Sequence, residues 1–98
     1  MRYSFHPDAR DEFEEGIKYY EEREYGLGYD FSIEVYLTVE RIAANPKAWP
    51  TLEQNIRRCL VRRFPYGILY NADESTNEIY IVAVMHLRRE PGYWKQRI

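Results

Sequence analysis

The periodicity of apolar residues changes once along the chain, close to residue 56. Up to that point apolar positions recur every three or four residues, which is the spacing of one helix face. Beyond it they alternate with polar residues or run continuously, which is the pattern of strands. After a short initial strand over residues 2–6, the pattern therefore predicts a helical first half and a β-sheet second half.

Two helices are predicted in the first half. Pro7 suits the first turn of a helix, and the pair Asn45-Pro46 ends the second helix because proline disfavours helical backbone at the residue before it. Gly26 and Gly28 predict the turn between them. The buried stripes are predicted to be Ala9, Phe13, Ile17 and Tyr20 on the first helix and Phe31, Val35, Val39 and Ile42 on the second.

Three strands are predicted in the second half, over residues 57–64, 66–71 and 78–86. Pro65 predicts a sharp bend between the first two strands, because proline cannot donate to a strand ladder. The polar run 73–77 is short enough to close a hairpin between the last two. The segment between the second helix and the first of these strands is predicted to be a loop.

The expected fold is a single α+β domain over residues 1–98. Its element order is β-α-α-β-β-β, and a helical hairpin packs on a small antiparallel sheet. A hydrophobic content of 45% suits one core. No apolar run reaches the roughly 18 residues of a membrane span, and the N-terminus carries no secretory pattern, so no membrane association is expected.

Cysteine and histidine are too few for a disulfide or a metal site. The single cysteine, Cys59, has no partner in the chain and favours a reducing cytoplasm. The two histidines and the cysteine lie far apart in sequence and lack metal-ligand spacing. We therefore predict no metal and no cofactor.

The net charge of −2 conceals a division between the two halves of the chain. Residues 1–54 hold 6 Lys or Arg against 12 Asp or Glu, which leaves −6. Residues 55–98 hold 8 Lys or Arg against 4 Asp or Glu, which leaves +4. Arginines concentrated on strands and strand ends form a surface that attracts anionic partners.

A set of residues in the second half is typical of one family. In order along the chain they are Phe64-Pro65-Tyr66, Tyr70, Ala83-Val84-Met85-His86, Arg88 and Pro91-Gly92-Tyr93-Trp94. With this order and spacing the whole chain resembles the RelE/ParE superfamily of toxins from type II toxin–antitoxin systems. The resemblance implies a small cytoplasmic protein that arrests growth and that an antitoxin, usually encoded beside it, neutralises. RelE-like members cut messenger RNA on the ribosome, and ParE-like members poison DNA gyrase.

A metal-free nuclease would need a base, cations and an acid around one phosphate. The candidates are His86 as base or acid, Arg58 and Arg88 as phosphate clamps, and Tyr93 as leaving-group acid or stacking platform. Two of these candidates also have a structural alternative: His86 could fix the C-terminal turn by a hydrogen bond, and Tyr93 could cap the core together with Trp94. Among the basic residues, Arg57 and Arg63 could pair with helix carboxylates.

Three departures from the RelE pattern favour one of the implied activities over the other. Gly67 and Leu60 stand where RelE-like nucleases carry positive charge, and the total charge of −2 lacks their cationic excess. We therefore interpret the chain as a ParE-like toxin that binds a protein target such as DNA gyrase. The alternatives are a RelE-type ribosome-dependent mRNA endonuclease and a degenerate member without toxicity.

The aromatic content predicts a surface for a protein partner. Ten tyrosines in 98 residues exceed what one small core needs, and tyrosine gives large contact area at low entropic cost. A cognate antitoxin would bring carboxylates to the basic residues. The predicted antitoxin- or target-binding residues are Tyr19, Tyr20, Tyr29, Tyr36, Arg57, Arg58, Arg62, Arg63, Arg89 and Trp94.

Overall fold

Two helices cover one face of a five-stranded sheet in the computed structural model, which describes residues 1–98. The elements in chain order are β1 (Arg2–Phe5), α1 (Pro7–Arg23), α2 (Leu27–Ala44), β2 (Thr51–Glu53), β3 (Ile56–Leu60), β4 (Tyr66–Asp73), β5 (Glu78–His86) and a C-terminal 3-10 turn (Lys95–Arg97). The strands lie in the order β1-β5-β4-β3-β2. The predicted α+β fold with a helical hairpin is confirmed. Neither helix is both long and apolar enough to cross a membrane.

The helix ends lie where the sequence places them. The ring of His6 accepts a hydrogen bond from the backbone N–H of Asp8 at 3.0 Å, so it caps the helix that begins at Pro7. Gly26 turns the chain between the helices with φ of 85°, a left-handed conformation that glycine adopts without a steric penalty. Asn45 is the C-terminal cap of α2.

The helical hairpin is unusually close at Gly16. A Cβ atom on this glycine would lie 2.7 Å from a ring carbon of Phe31, so only glycine lets the Phe31 ring approach α1 there. All four apolar residues predicted for the α2 stripe are fully buried. On α1 the ends of the predicted stripe differ: Ala9 and Phe13 are buried, whereas Ile17 and Tyr20 are half-buried.

The sheet is mixed, whereas the sequence predicts an antiparallel one. β4 pairs antiparallel with both β3 and β5, but β1 pairs parallel with β5, with Arg2 opposite Glu78 and Phe5 opposite Ile81. Alternation along a strand specifies which side chains face the core and carries no information about the direction of the neighbouring strand. The parallel pair is therefore a product of the tertiary fold.

Two strand boundaries also differ from the prediction. The segment expected to be a loop contains β2, a three-residue edge strand that pairs with β3. Its residues are all exposed, so they show no apolar alternation. In addition, β3 ends at Leu60 rather than at Phe64, because the chain turns there with Arg63 at φ of 72°. The expected bend before β4 and the hairpin between β4 and β5 are confirmed.

A β-bulge on β5 changes which of its residues face each side of the sheet. Tyr70 lies opposite Ile81 and Leu69 lies opposite Ala83, so Val82 is an extra residue on β5. Beyond the bulge the alternation of faces is shifted by one residue. The helix side holds the larger cluster, whereas Val82, Ala83 and Trp94 belong to a second cluster on the opposite side.

Candidate functional site

A groove of about 690 Å³ lies between α1, the start of β4 and the end of β5. The C-terminal half of α1 forms one wall with Tyr19, Tyr20 and Arg23. The sheet and the turn after it form the other wall with Tyr66, His86 and Arg88. We call this concavity the α1–β5 groove. No three His, Cys, Asp or Glu side chains of the chain are grouped so that they could hold a metal ion.

Tyr66 and His86 form the floor of the α1–β5 groove. They are directly opposite each other on β4 and β5, and their rings meet edge to face with centroids 5.1 Å apart. Burial, reinforced by Tyr20 and other neighbours, raises the pKa of Tyr66 to about 12. At neutral pH its hydroxyl is therefore a hydrogen-bond donor, and it donates to no group of the chain.

His86 also fixes the turn that follows β5. Its Nδ1 atom accepts a hydrogen bond from the backbone N–H of Arg88 at 3.1 Å. In the neutral ring the proton is therefore on Nε2, the nitrogen without a partner in the chain. His86 thus fixes the C-terminal turn, which is the structural alternative expected for it. The Nε2–H of its neutral ring remains a free donor beside the groove.

One end of the α1–β5 groove is closed by a hydrogen-bond network around Glu12. β1 accompanies β5 only as far as Ile81, so the next backbone groups of β5 need other partners. Glu12 accepts a hydrogen bond from the backbone N–H of Val84 at 3.0 Å, and Arg97 donates to the carbonyl of Val82 at 3.1 Å. Two side chains thus satisfy the strand edge where β1 has ended.

The same network holds the hydroxyl of Tyr93. This hydroxyl donates to Glu12 at 2.7 Å, and burial together with that hydrogen bond raises the pKa of Tyr93 above its usual range. The guanidinium of Arg89 lies 3.8 Å from the centre of the Tyr93 ring. The proton that Tyr93 would have to donate as a leaving-group acid is therefore already held in the hydrogen bond to Glu12. The sequence analysis missed Glu12 and Arg97, whose partners lie at the other end of the chain.

Arg58 and His86 project from opposite faces of the sheet. Arg58 is opposite Leu69, a member of the second cluster, so both point away from the helices. His86 is opposite Tyr66, which packs against the cluster under the helices. Of the four candidate nuclease residues, the α1–β5 groove is lined by His86 and Arg88, while Arg58 lies on the other side of the sheet.

The predicted tyrosines lie on two separate surfaces. Tyr19 and Tyr20 line the α1–β5 groove. Tyr29 and Tyr36 lie on α2, where Tyr29 is 68% exposed and the half-exposed Tyr36 packs edge to face on Phe13 of α1 at 5.4 Å. Ile33 and Leu37 are exposed beside them. These four residues recur at helical spacing and form an apolar stripe. The sequence predicts only its two tyrosines, because α2 is apolar on both its inner and its outer face.

The predicted arginines differ in how far the fold uses them. Arg57 donates to the backbone carbonyl of Trp49 at 2.6 Å instead of pairing with a helix carboxylate. Arg63 pairs with Asp30 and Glu34 of α2 at 3.6 and 3.9 Å, which is the ion pairing expected for it. Arg62 is exposed and has no carboxylate partner.

The remaining predicted contact residues lie near the C-terminus. Arg89 lines the α1–β5 groove and lies 3.9 Å from a carboxylate oxygen of Glu12. Trp94 is only 2% exposed and packs in the second cluster, which is the core-capping alternative considered for it. In this arrangement of the C-terminal segment, Trp94 offers almost no surface to a partner.

The chain is similar to one solved structure in its fold and to one protein family in its sequence. The chain resembles the solved structure of a chromosomal ParDE toxin–antitoxin system from P. aeruginosa, with a TM-score of 0.72 at 16% identity over 90% of this chain and 97% of that one. No curated protein matches the sequence. A family model described as the ParE toxin of the type II toxin–antitoxin system parDE matches residues 3–91. The chain therefore belongs to the ParE toxin family of type II toxin–antitoxin systems.

Proposed function

We propose that this ParE-family chain arrests growth by binding a protein target, such as DNA gyrase, and that a cognate antitoxin neutralises it by covering part of its surface. The observation that carries this proposal is the placement of Arg58 and His86 on opposite faces of the sheet. A protein that acts by binding needs an exposed surface and does not need general acid–base groups.

RNA cleavage without a metal ion requires its groups within hydrogen-bond reach of one phosphate and one 2′-hydroxyl. Arg58 cannot reach a phosphate held beside His86, because the sheet lies between them. Tyr93 already donates its proton to Glu12. The geometry therefore favours binding over catalysis.

The proposed setting is the cytoplasm, where gyrase, the ribosome and a co-expressed antitoxin are found. Cys59 is a buried free thiol, and burial raises its pKa, so it is a packing residue rather than a nucleophile. A thiol in this state is compatible with reducing conditions.

One observation favours a second candidate, the RelE-type ribosome-dependent endonuclease. His86 and Arg88 share the α1–β5 groove with three tyrosines, so a base and a cation are adjacent there. A third candidate is a family member without toxicity.

Induced expression in a bacterial host separates these candidates. Our proposal predicts growth arrest, relief by the antitoxin, and inhibition of gyrase supercoiling by the purified chain without new mRNA ends. New mRNA ends within ribosome-bound transcripts, with supercoiling unaffected, would replace it with the endonuclease. Normal growth at a verified level of folded protein would replace it with the non-toxic alternative.

A further inference from the structure

We propose that the α1–β5 groove binds an acidic residue of the antitoxin together with an apolar residue beside it. This inference rests on the proposed function, since it assigns the antitoxin to a specific surface. The carboxylate would lie between Tyr66, His86 and Arg88, at the sheet end of the groove.

The polar groups on the groove floor and walls are mostly donors without acceptors. The hydroxyl of Tyr66 and the Nε2–H of His86 have no partner in the chain. The Tyr66 and Tyr20 hydroxyls are protonated at neutral pH, as tyrosine hydroxyls ordinarily are, and burial raises the pKa of both further. A carboxylate is an acceptor only and can take several such bonds at once. The groove is therefore complementary to an anion.

The groove also contains cationic side chains that the fold does not neutralise. Arg23 stacks on the ring of Tyr19 at 4.0 Å, and neither Arg23 nor Arg88 forms an ion pair. Glu12, in contrast, already binds Arg97. These unpaired guanidiniums add positive potential to the donors, which attracts an acidic segment.

Apolar surface lies between the two cationic ends of the groove. Tyr19 and Tyr20 meet edge to face at 5.1 Å, and Leu27 and Pro65 continue the wall. The volume of about 690 Å³ is in the range of pockets that hold a drug-sized ligand, so it has room for two adjacent side chains. An apolar residue next to the acidic one would fill this part of the groove.

The charges favour a protein segment over nucleic acid. Glu12 and Glu15 line the same groove, and Glu15 has no cationic partner. A nucleic acid presents a continuous row of phosphates, which such carboxylates repel. Glu12 and Glu15 also act electrostatically on Tyr66. A peptide with a single acidic residue meets this repulsion once, beside the guanidinium of Arg88, whereas a nucleic acid meets it at every phosphate.

Matched dipeptides test the chemistry of the groove. We would titrate the isotope-labelled chain with acetyl-Phe-Glu-amide and with acetyl-Phe-Gln-amide and follow its NMR spectrum. The acidic peptide should bind roughly tenfold or more tightly, since hydrogen bonds to a charged group are the stronger ones, and should shift the signals of Tyr66, His86 and Arg88. Arg88→Gln should remove this preference, and Arg10→Gln, at an exposed position outside the groove, should retain it.

Three results would overturn the inference. The two dipeptides could bind equally well, the shifts could map to the outer face of α2, or the dinucleotide ApU could bind the groove more tightly than the acidic peptide. The last result would assign the groove to nucleic acid.

The full antitoxin separates failure of this inference from failure of the proposed function. Calorimetry should show that Arg88→Glu and Tyr66→Phe each weaken the complex, the first by roughly tenfold or more, whereas Arg10→Glu and Tyr25→Phe do not. Unchanged affinity of both groove variants, with growth arrest and antitoxin relief intact, would refute the groove and leave the proposed function standing. Binding of the acidic peptide by a chain that never arrests growth would refute the proposed function and leave the assignment of the groove standing.

Discussion

Arg97 binds both carboxylate oxygens of Glu12, at 2.9 and 3.0 Å, across 85 residues of sequence. The two side chains are only 10% and 13% exposed. Because Glu12 also accepts hydrogen bonds from Val84 and Tyr93, one carboxylate joins the first helix, the last strand and the C-terminal segment.

Removing this carboxylate should destabilise the whole chain. Glu12→Ala leaves Arg97 without its partner and the N–H of Val84 without an acceptor, and breaking a nearly buried pair should lower the free energy of unfolding by about 2–4 kcal/mol. Urea unfolding followed by circular dichroism measures this. Glu14→Ala, at an exposed position on the same helix, is the matched control, and an equal effect of the two substitutions would contradict the role of the network.

Gly16→Ala should be destabilising even though alanine is the better helix former. The new Cβ would lie 2.7 Å from the Phe31 ring, which is buried in the core and has little room to move. Overpacking of this kind costs about 1–3 kcal/mol, whereas the helix propensity gain is below about 1 kcal/mol. A thermal melt of the variant should show a lower midpoint than the wild type, and a higher midpoint would show that the two helices can separate.

Tyr66→Phe should make the chain more resistant to alkali. Burial raises the pKa of Tyr66 to about 12 in the folded chain, while an unfolded tyrosine titrates near about 10. Below pH 10 Tyr66 is protonated in both the folded and the unfolded chain, so its titration does not reduce the free energy of unfolding there. As the pH rises from 10 to 12 the unfolded state loses the proton first, so stability falls through this window.

The phenylalanine variant lacks that proton and loses no hydrogen bond within the chain. The variant and the wild type should therefore have nearly equal free energies of unfolding at pH 7. Between pH 10 and 12 the variant should become the more stable of the two. Urea unfolding at a series of pH values measures the difference. Tyr25→Phe is the control because that side chain is 96% exposed, and an advantage of Tyr66→Phe that does not grow with pH would disprove the expectation.

Trp94→Ala should unfold the C-terminal segment or the whole chain. The indole packs against Val82, Ala83 and Met85 on the sheet face opposite the helices, and truncating a buried aromatic costs about 3–5 kcal/mol. Limited proteolysis should cut the variant after β5, and its unfolding midpoint should fall well below that of the control Tyr25→Ala. A variant as stable as the control would contradict the packing role of Trp94.

Local patterns in the sequence determined the elements of this fold. Neighbours a few residues away determine the start of α1 at Pro7, the end of α2 at Asn45, the turn at Gly26 and the apolar stripe of α2, so the sequence predicts them directly. The residues of the second half resemble those of the RelE/ParE superfamily, and the match to the ParE toxin family model confirms that resemblance.

Tertiary structure alone decided the pairing of β1 with β5, the bulge at Val82 and the composition of the α1–β5 groove. Arg58 and His86 appear in the sequence as two members of one basic, aromatic half, yet the register of the sheet places them on opposite faces. Glu12 appears as one of many solvated carboxylates, yet it binds the C-terminus. Such long-range relationships depend on strand register and chain closure, which no local periodicity specifies.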